Sequence, residues 1–395
     1  MGLKFRKLFT PIFLVFVILA SFGLGNYFGK TQCQICPPED LDFSLFWEAY
    51  HKLQEKFVDK GKLDTKKMIY GAISGMVKSL GDPYTVFFTP EETKKFEEDV
   101  KGQFEGVGME IDIKKGQLLI IAPLEGTPVQ RADLRAGDKI MAINGTPTAD
   151  LTIDEAIDLI RGPKGTEVTL TIFREEWGKN KEIKLVRDVI EVPSIKWELK
   201  TTPEGEKIVY LKIYQFFEKA SLDFQMAAIE ILSNPSPKII LDLRNNPGGY
   251  LEVAQDIAGW FLEPGKIVVV EDFGNGEKNE YKSEGGGQFL DYKIVVLINE
   301  GTASGSEILA GALRDNRGIL LIGEKSFGKG SVQELENLKG GSSLKITVAK
   351  WLTPKGQLIT DVGLEPDIKV GMTDKDYEEG KDPQLDKAIE IIKNL

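Results

Sequence analysis

Histidine is nearly absent from this chain of 395 residues, which holds His51 alone, and cysteine is limited to Cys33 and Cys36. Catalytic zinc usually takes several imidazole ligands, and Ser-His-Asp or Cys-His sites need at least one imidazole beside the nucleophile. His51 does not fill that place. It follows Phe46 and Tyr50 and precedes Leu53 and Phe57, apolar residues at helical spacing that leave it on a helix surface. No metal or other cofactor is expected, and a hydrolytic site would have to take its proton acceptor from a lysine or a carboxylate. Basic charge is outweighed, 50 Lys and Arg against 61 Asp and Glu. The net charge is -11, and no basic cluster follows the first seven residues, so nothing here would attract a phosphate backbone and nucleic acid is not an expected partner. What the chain does have is 42% hydrophobic residues, enough to bury two or three cores rather than form a disordered or fibrous protein.

Lys4, Arg6 and Lys7 precede an uncharged stretch from Leu8 to Gly29, about the ~20 residues that cross a bilayer, with the positive charge on the side that stays cytoplasmic. Residues 1–30 therefore read as a cytoplasmic basic end and a transmembrane signal anchor, with the rest extracytoplasmic on a bacterial cytoplasmic membrane. A cleaved signal peptide is the rival; no small-x-small site near Leu19-Ala20-Ser21-Phe22 supports it. Residues 31–40 form a linker in which Cys33 and Cys36 make a Cys-x-x-Cys outside any strand-then-helix context, read as a tether disulfide.

Residues 41–99 are helical in pattern. Ile69, Ile73, Met76 and Leu80 form an apolar stripe, and Thr89-Pro90-Glu91-Glu92 is a capping box with proline at the first helical position. Residues 100–188 change to short strands, Leu118–Ala122, Ile140–Ile143 and Val168–Phe173, with one helix opened by Thr152-Ile153-Asp154-Glu155 and closed by Gly162. Gly106-Val107-Gly108-Met109 resembles the carboxylate-binding loop of PDZ domains, where successive amides form a nest for a peptide's terminal carboxylate and the next strand pairs with the peptide. Leu134 to Ile140 and the Asn144-Gly145 turn resemble later parts of such a module.

Residues 189–372 alternate strands and helices, with apolar runs Lys238–Leu243, Ile267–Val270, Ile294–Ile298 and Ile319–Ile322 expected as strands covered on both faces of an α/β layer. Residues 373–395 read as a helical tail. Three loops carry the unusual residues. Arg244 to Gly249 exposes a glycine pair before a helix, which serves either an oxyanion or an ordinary turn. Asn299 to Glu307 places Ser304 at a helix N-terminus, accessible as a nucleophile with the Gly305 amide beside it, yet Ser304 and Glu307 also satisfy the Ser-x-x-Glu capping box. Gly323 to Gln333 fits a P-loop only as far as Lys329, because Gly330 stands where a magnesium-binding hydroxyl is required. Ser326 and Lys329 match the Ser-x-x-Lys pattern, but Gly328 and Gly330 disfavour the helix it needs. The reading retained is Lys329 as a general base made neutral by burial, with Gln333 on the same face of an extended segment.

Taken in order, Leu243 to Gly249, Thr302 to Glu307 and Phe327 to Gln333 resemble the motifs of the C-terminal processing, or tail-specific, peptidases. Ser79 to Thr85, Thr353 to Gly356 and Gly363 to Asp367 resemble that family's outer motifs. The resemblance implies a crotonase-like α/β core with an inserted PDZ domain and a helical N-terminal region. It implies Ser304 as nucleophile, Lys329 as base and Gln333 as the residue that orients the lysine, with an oxyanion hole from the amides of Gly305 and of Gly249 or Gly248. Gly305 stands where the family often has alanine; a backbone donor is unaffected by that change. Expected partners are proteins with flexible C-terminal tails, with a homo-oligomer or an activating partner left open. The alternative is a PDZ scaffold that binds tails without cutting them.

Overall fold

The computed structural model describes residues 17–24, 42–114, 116–124, 126–135, 137–234 and 236–395. The chain divides into two compact units, Met1–Gly71 and Ala72–Leu395.

In the first unit, residues 17–24 are helical with exposed apolar side chains, and no helix among the described residues is long and apolar enough to cross a membrane. The remainder of the predicted span, and Cys33 and Cys36, lie outside the described residues. The helix Ser44–Lys56 buries none of its residues, and within it His51 Nδ1–H donates to the Trp47 carbonyl at 2.6 Å. Of the predicted stripe, Ile69 stays exposed here, Met76 and Leu80 stay exposed in the second unit, and Ile73 is half-buried, so the stripe does not become a core.

In the second unit the strand Val86–Phe88 is followed by the helix Pro90–Lys101, where Glu92 Oε2 accepts the Thr89 amide and hydroxyl and closes the expected box. A small module follows. Its strands Met109–Lys114, Gln117–Pro123, Lys139–Ile143, Glu167–Phe173 and Asn180–Val186 lie in that order, all antiparallel. Alternate residues such as Val168, Leu170 and Ile172 face a core with Ile120, Ile140 and Ile143. Asn144 and Gly145 both take positive φ, 49° and 81°, as a two-residue hairpin turn into Thr146–Pro147 requires. The helix Ile153–Ile160 starts from a closed Thr152/Glu155 capping box. Chain entry and exit pair with each other, Gln103–Gly106 against Asp188–Glu191.

The larger layer is a six-stranded sheet in the order Ile195–Thr201, Lys207–Ile213, Lys238–Asp242, Lys293–Ile298, Leu320–Gly323, Ile368–Lys369. Its first pair is antiparallel and the rest parallel. The central strands alternate between two cores. Ile239, Leu241 and Val296 face the helices Ala220–Leu232, Leu251–Phe261 and Gly305–Arg317, whereas Ile240, Val295 and Leu297 face Ala388 and Ile392 of the helix Pro383–Lys393. That last helix is a layer of the fold rather than a tail. Ile267–Asp272 departs from expectation: it belongs to a separate sheet, antiparallel to Lys278–Lys282 and to Ser343–Leu352. Its apolar run reports burial alone, and burial is common to both sheets.

Candidate active site

Lys238–Asp242, Lys293–Ile298 and Leu320–Gly323 are neighbours in the sheet and parallel, so the loops leaving their C-terminal ends emerge side by side. These are the three loops that the sequence singled out.

The first two are knitted together by asparagines. Asn299 Oδ1 accepts the Asn245 amide at 2.8 Å while its Nδ2 donates to Asn245 Oδ1 at 2.8 Å, and the Ala303 amide donates to the Asn246 carbonyl at 2.9 Å. Asn246, fully buried, donates to the Ile213 carbonyl. None of these amides had a role assigned from sequence; their clustering in two loops was the available signal. Ser304 stands at the start of the helix Gly305–Arg317 with φ 55° and ψ -120°, a conformation that non-glycine residues seldom adopt and that concentrates at reactive positions.

Gly248 and Gly249 are glycines for steric reasons. A β-carbon on Gly248 would lie 2.6 Å from Ser304 Cβ, and one on Gly249 would overlap the Phe216 carbonyl. The loop thereby approaches Ser304 without a side chain between them. The two amides then part company. Gly248 N–H donates to Asn246 Oδ1 at 2.9 Å and is committed there. Among the described residues the N–H groups of Gly249 and Gly305 take part in no hydrogen bond. The Gly249 nitrogen is 3.6 Å from the point where a Gly305 β-carbon would stand, so the pair is placed to receive one oxygen.

The third loop, residues 324–330, has no regular structure and gives way to the strand Ser331–Asn337. Without a helix, Ser326 and Lys329 do not form the Ser-x-x-Lys arrangement. Ser326 is buried instead, accepting the Leu364 amide at 2.6 Å and donating to Glu307 Oε1 at 2.5 Å. The Lys329 and Ser304 backbones are brought together: both amides donate to Oε2 of Glu307, at 3.0 Å and 2.9 Å. The Lys329 ammonium lies over the Tyr84 ring, 5.8 Å from its centre. Burial pushes its pKa below the ordinary lysine value, with Glu307 pulling the other way. Lys345 is depressed too, by burial and by the nearby Lys329. Two ammonium groups in one partly dry site favour loss of a proton from one of them. Gln333, predicted to orient the lysine, turns its amide to Ser331, donating to the carbonyl at 2.9 Å and the hydroxyl at 2.6 Å.

In the small module a cavity of about 880 Å³ lies between the strand Met109–Lys114 and the helix Ile153–Ile160, lined by Val107, Gly108, Met109, Ile111, Ile157 and Ile160. Its far wall comes from the larger layer through Ile195, Lys196 and Tyr214. Gly108 takes φ 79°, and its missing side chain admits Thr127, whose hydroxyl donates to the Gly108 carbonyl at 2.9 Å. Gly106 ends the strand Gln103–Gly106 and is not among the lining residues.

A serine in a strained turn beside two amides free of other acceptors, together with an edge-strand groove, is the arrangement expected of a serine-type peptidase carrying a peptide-binding module. Comparison with known proteins agrees. The peptidase family S41 matches residues 207–370, the PDZ domain residues 96–173 and the activating protease CtpB N-terminal domain residues 31–93. The carboxy-terminal processing protease CtpA of Bacillus subtilis (strain 168) is 36% identical over 373 residues, 93% of this chain and 78% of the relative. The carboxy-terminal-processing protease of Bartonella bacilliformis is 39% identical over 329 residues, 82% and 74% of the two chains. Among solved structures, the photosystem II D1 C-terminal processing protease superposes with a TM-score of 0.54 at 27% identity, covering 83% of this chain and 92% of its own. The chain belongs to the C-terminal processing proteases of peptidase family S41, serine-type enzymes with a PDZ domain.

Proposed function

We propose that Ser304 and Lys329 form the catalytic dyad of an endopeptidase that takes hold of protein C-terminal tails in its PDZ groove. The observation that carries this reading is that their amides share one carboxylate oxygen. In the attack, Ser304 Oγ bonds to the scissile carbonyl carbon and passes its proton to the neutral Lys329 amine. The oxyanion accepts the N–H groups of Gly305 and Gly249, already oriented and free of other acceptors, so little reorganisation accompanies the charge as it forms. Collapse breaks the C–N bond, Lys329 returns the proton to the departing amine, and water then hydrolyses the acyl-enzyme by the reverse sequence. Gly108 and Met109 lie where a tail's carboxylate and last residues would enter, and the apolar wall of Val107, Ile111, Ile157 and Ile160 suits an apolar terminal side chain.

The substrates are proposed to be extracytoplasmic, reached from a membrane anchor at residues 8–29. The support is the basic residues followed by the long uncharged run. Fractionation of cells expressing the full chain, with protease accessibility of its C-terminal region, tests that placement.

The dyad is tested with a folded substrate bearing an apolar flexible tail. Ser304→Ala and Lys329→Ala should abolish cleavage, and a fluorophosphonate probe should label the wild type at Ser304. Labelling at Ser326, or cleavage surviving in both variants, would overturn the assignment. Tail binding without labelling would make the chain a scaffold.

A further inference from the structure

Glu307 entered the sequence as the far end of a capping box, a local device. Its surroundings are not local. The side chain is fully buried and reaches across to a loop 19 to 22 residues later. Oε2 accepts the amides of Ser304 and Lys329, while Oε1 accepts the Gly328 amide at 2.8 Å and the Ser326 hydroxyl. Three of these donors are backbone N–H groups that cannot reverse. The fourth, Ser326, already accepts the Leu364 amide, so its own proton points at Glu307. Four donors on two oxygens match the acceptor capacity of an ionised carboxylate and leave no direction for an acidic proton. Burial raises the carboxyl's pKa, and the same four contacts oppose that rise.

We infer that Glu307 is the positioning residue of the dyad: one buried carboxylate pins the strained Ser304 backbone and the Lys329 backbone to a single oxygen, and so sets the two points of the chain from which hydroxyl and amine reach each other. This rests on the dyad reading above. Gln333, with its amide on Ser331, does not supply that restraint in this arrangement. The carboxylate has a second effect, since its negative charge stabilises the Lys329 ammonium. Facing the same amine are Lys345 from the strand Ser343–Leu352 and Tyr84 from the loop before Val86–Phe88. Asp82 and Asp361 act on Tyr84 beside it.

The test is Glu307→Gln in the full chain, with cleavage of a tail peptide followed against pH and the fold checked by thermal unfolding and by tail binding to the groove. Glutamine keeps one acceptor oxygen but sets an NH2 group against a backbone donor. The expected result is a kcat lower by about 10- to 100-fold, as for a reacting pair displaced by a fraction of an ångström to an ångström. KM should change little, and the acid limb of the kcat/KM profile should move to lower pH because the lysine loses a stabilising charge. Glu307→Asp, shorter but still charged, should lose kcat without moving that limb, and it serves as the reading if the glutamine variant fails to fold. Ser326→Ala, which leaves both Oε2 contacts in place, should lose less than Glu307→Gln. Wild-type kcat and an unmoved limb in folded Glu307→Gln overturn the proposal. Full activity in Ser304→Ala or Lys329→Ala would instead overturn the dyad, whatever Glu307 does.

Discussion

A lysine accepts a proton only while it is neutral, and at Lys329 the burial that favours neutrality also destabilises the fold. The unfolded amine has its ordinary pKa of 10.5, and the folded one lies lower. Below the folded value both states are protonated and the full cost of a buried charge is present. That cost fades as pH rises through the window between the folded value and 10.5. Lys329→Met is therefore expected to be inactive yet to have a higher thermal midpoint than the wild type at neutral pH, as differential scanning calorimetry will show. Lys329→Arg should be equally inactive, falling about 10²- to 10⁴-fold in kcat/KM, because a guanidinium stays charged throughout. In the wild type, kcat/KM should rise with pH and level off below 10.5. At this scale the sequence was informative about identity and poor about contacts. Ser304 and Lys329 stood out by their glycine neighbours. Glu307 did not, because Ser-x-x-Glu spacing describes only the near end of its reach, and Gln333 was placed by strand alternation that says nothing of the partner its amide takes.

Loops between parallel strands owe their precision to what they abut. Gly249 has φ 143° and no room for a β-carbon against the Phe216 carbonyl, which itself accepts the Tyr250 amide at 2.9 Å. Gly249→Ala must swing its amide away, with an expected loss of about 10²- to 10³-fold in kcat and a smaller loss of thermal stability. At the root of the same loop, Arg244 lies against the fully buried Asp242 and reaches Asp382 at 2.8 Å, just before the helix Pro383–Lys393. Arg244→Leu leaves Asp242, among the described residues, with only the Tyr210 hydroxyl at 2.6 Å as a side-chain partner. Denaturant titration should show a loss of about 3–5 kcal/mol, the usual result of removing one partner from a buried pair. Elements with a strong local signal were legible: the capping boxes at Thr89 and Thr152, the Asn144-Gly145 hairpin and the apolar strands. Membership of one sheet or another was not, as Ile267–Asp272 shows, because partner strands are chosen by distant parts of the chain. The role of Pro383–Lys393 could have been read from Gln384, Ala388 and Ile392, buried at four-residue spacing beneath a proline-started turn.

For the whole molecule, binding and cutting are assigned to different surfaces, and they should separate in kinetics. Ile157→Glu puts a carboxylate into the groove where a tail's own carboxylate arrives. KM for a tailed substrate should rise about tenfold or more, while a short internal peptide, which needs no groove, is cleaved as before. Amidating the substrate's C-terminus should mimic the variant on the wild-type enzyme. The division into a strand-rich module and an α/β layer was visible as a change of periodicity along the sequence. The composite wall of the groove was not, because Tyr214 and Lys196 come from the other side of that division.

The pairing of Gln103–Gly106 with Asp188–Glu191 brings the beginning and end of the strand-rich module to one doorway. A cassette with adjoining ends can be lifted out and another put in its place while the host chain keeps its path. Swapping in a reader of different tails, joined at those two strands, is thus the natural way to redirect this enzyme without touching its chemistry.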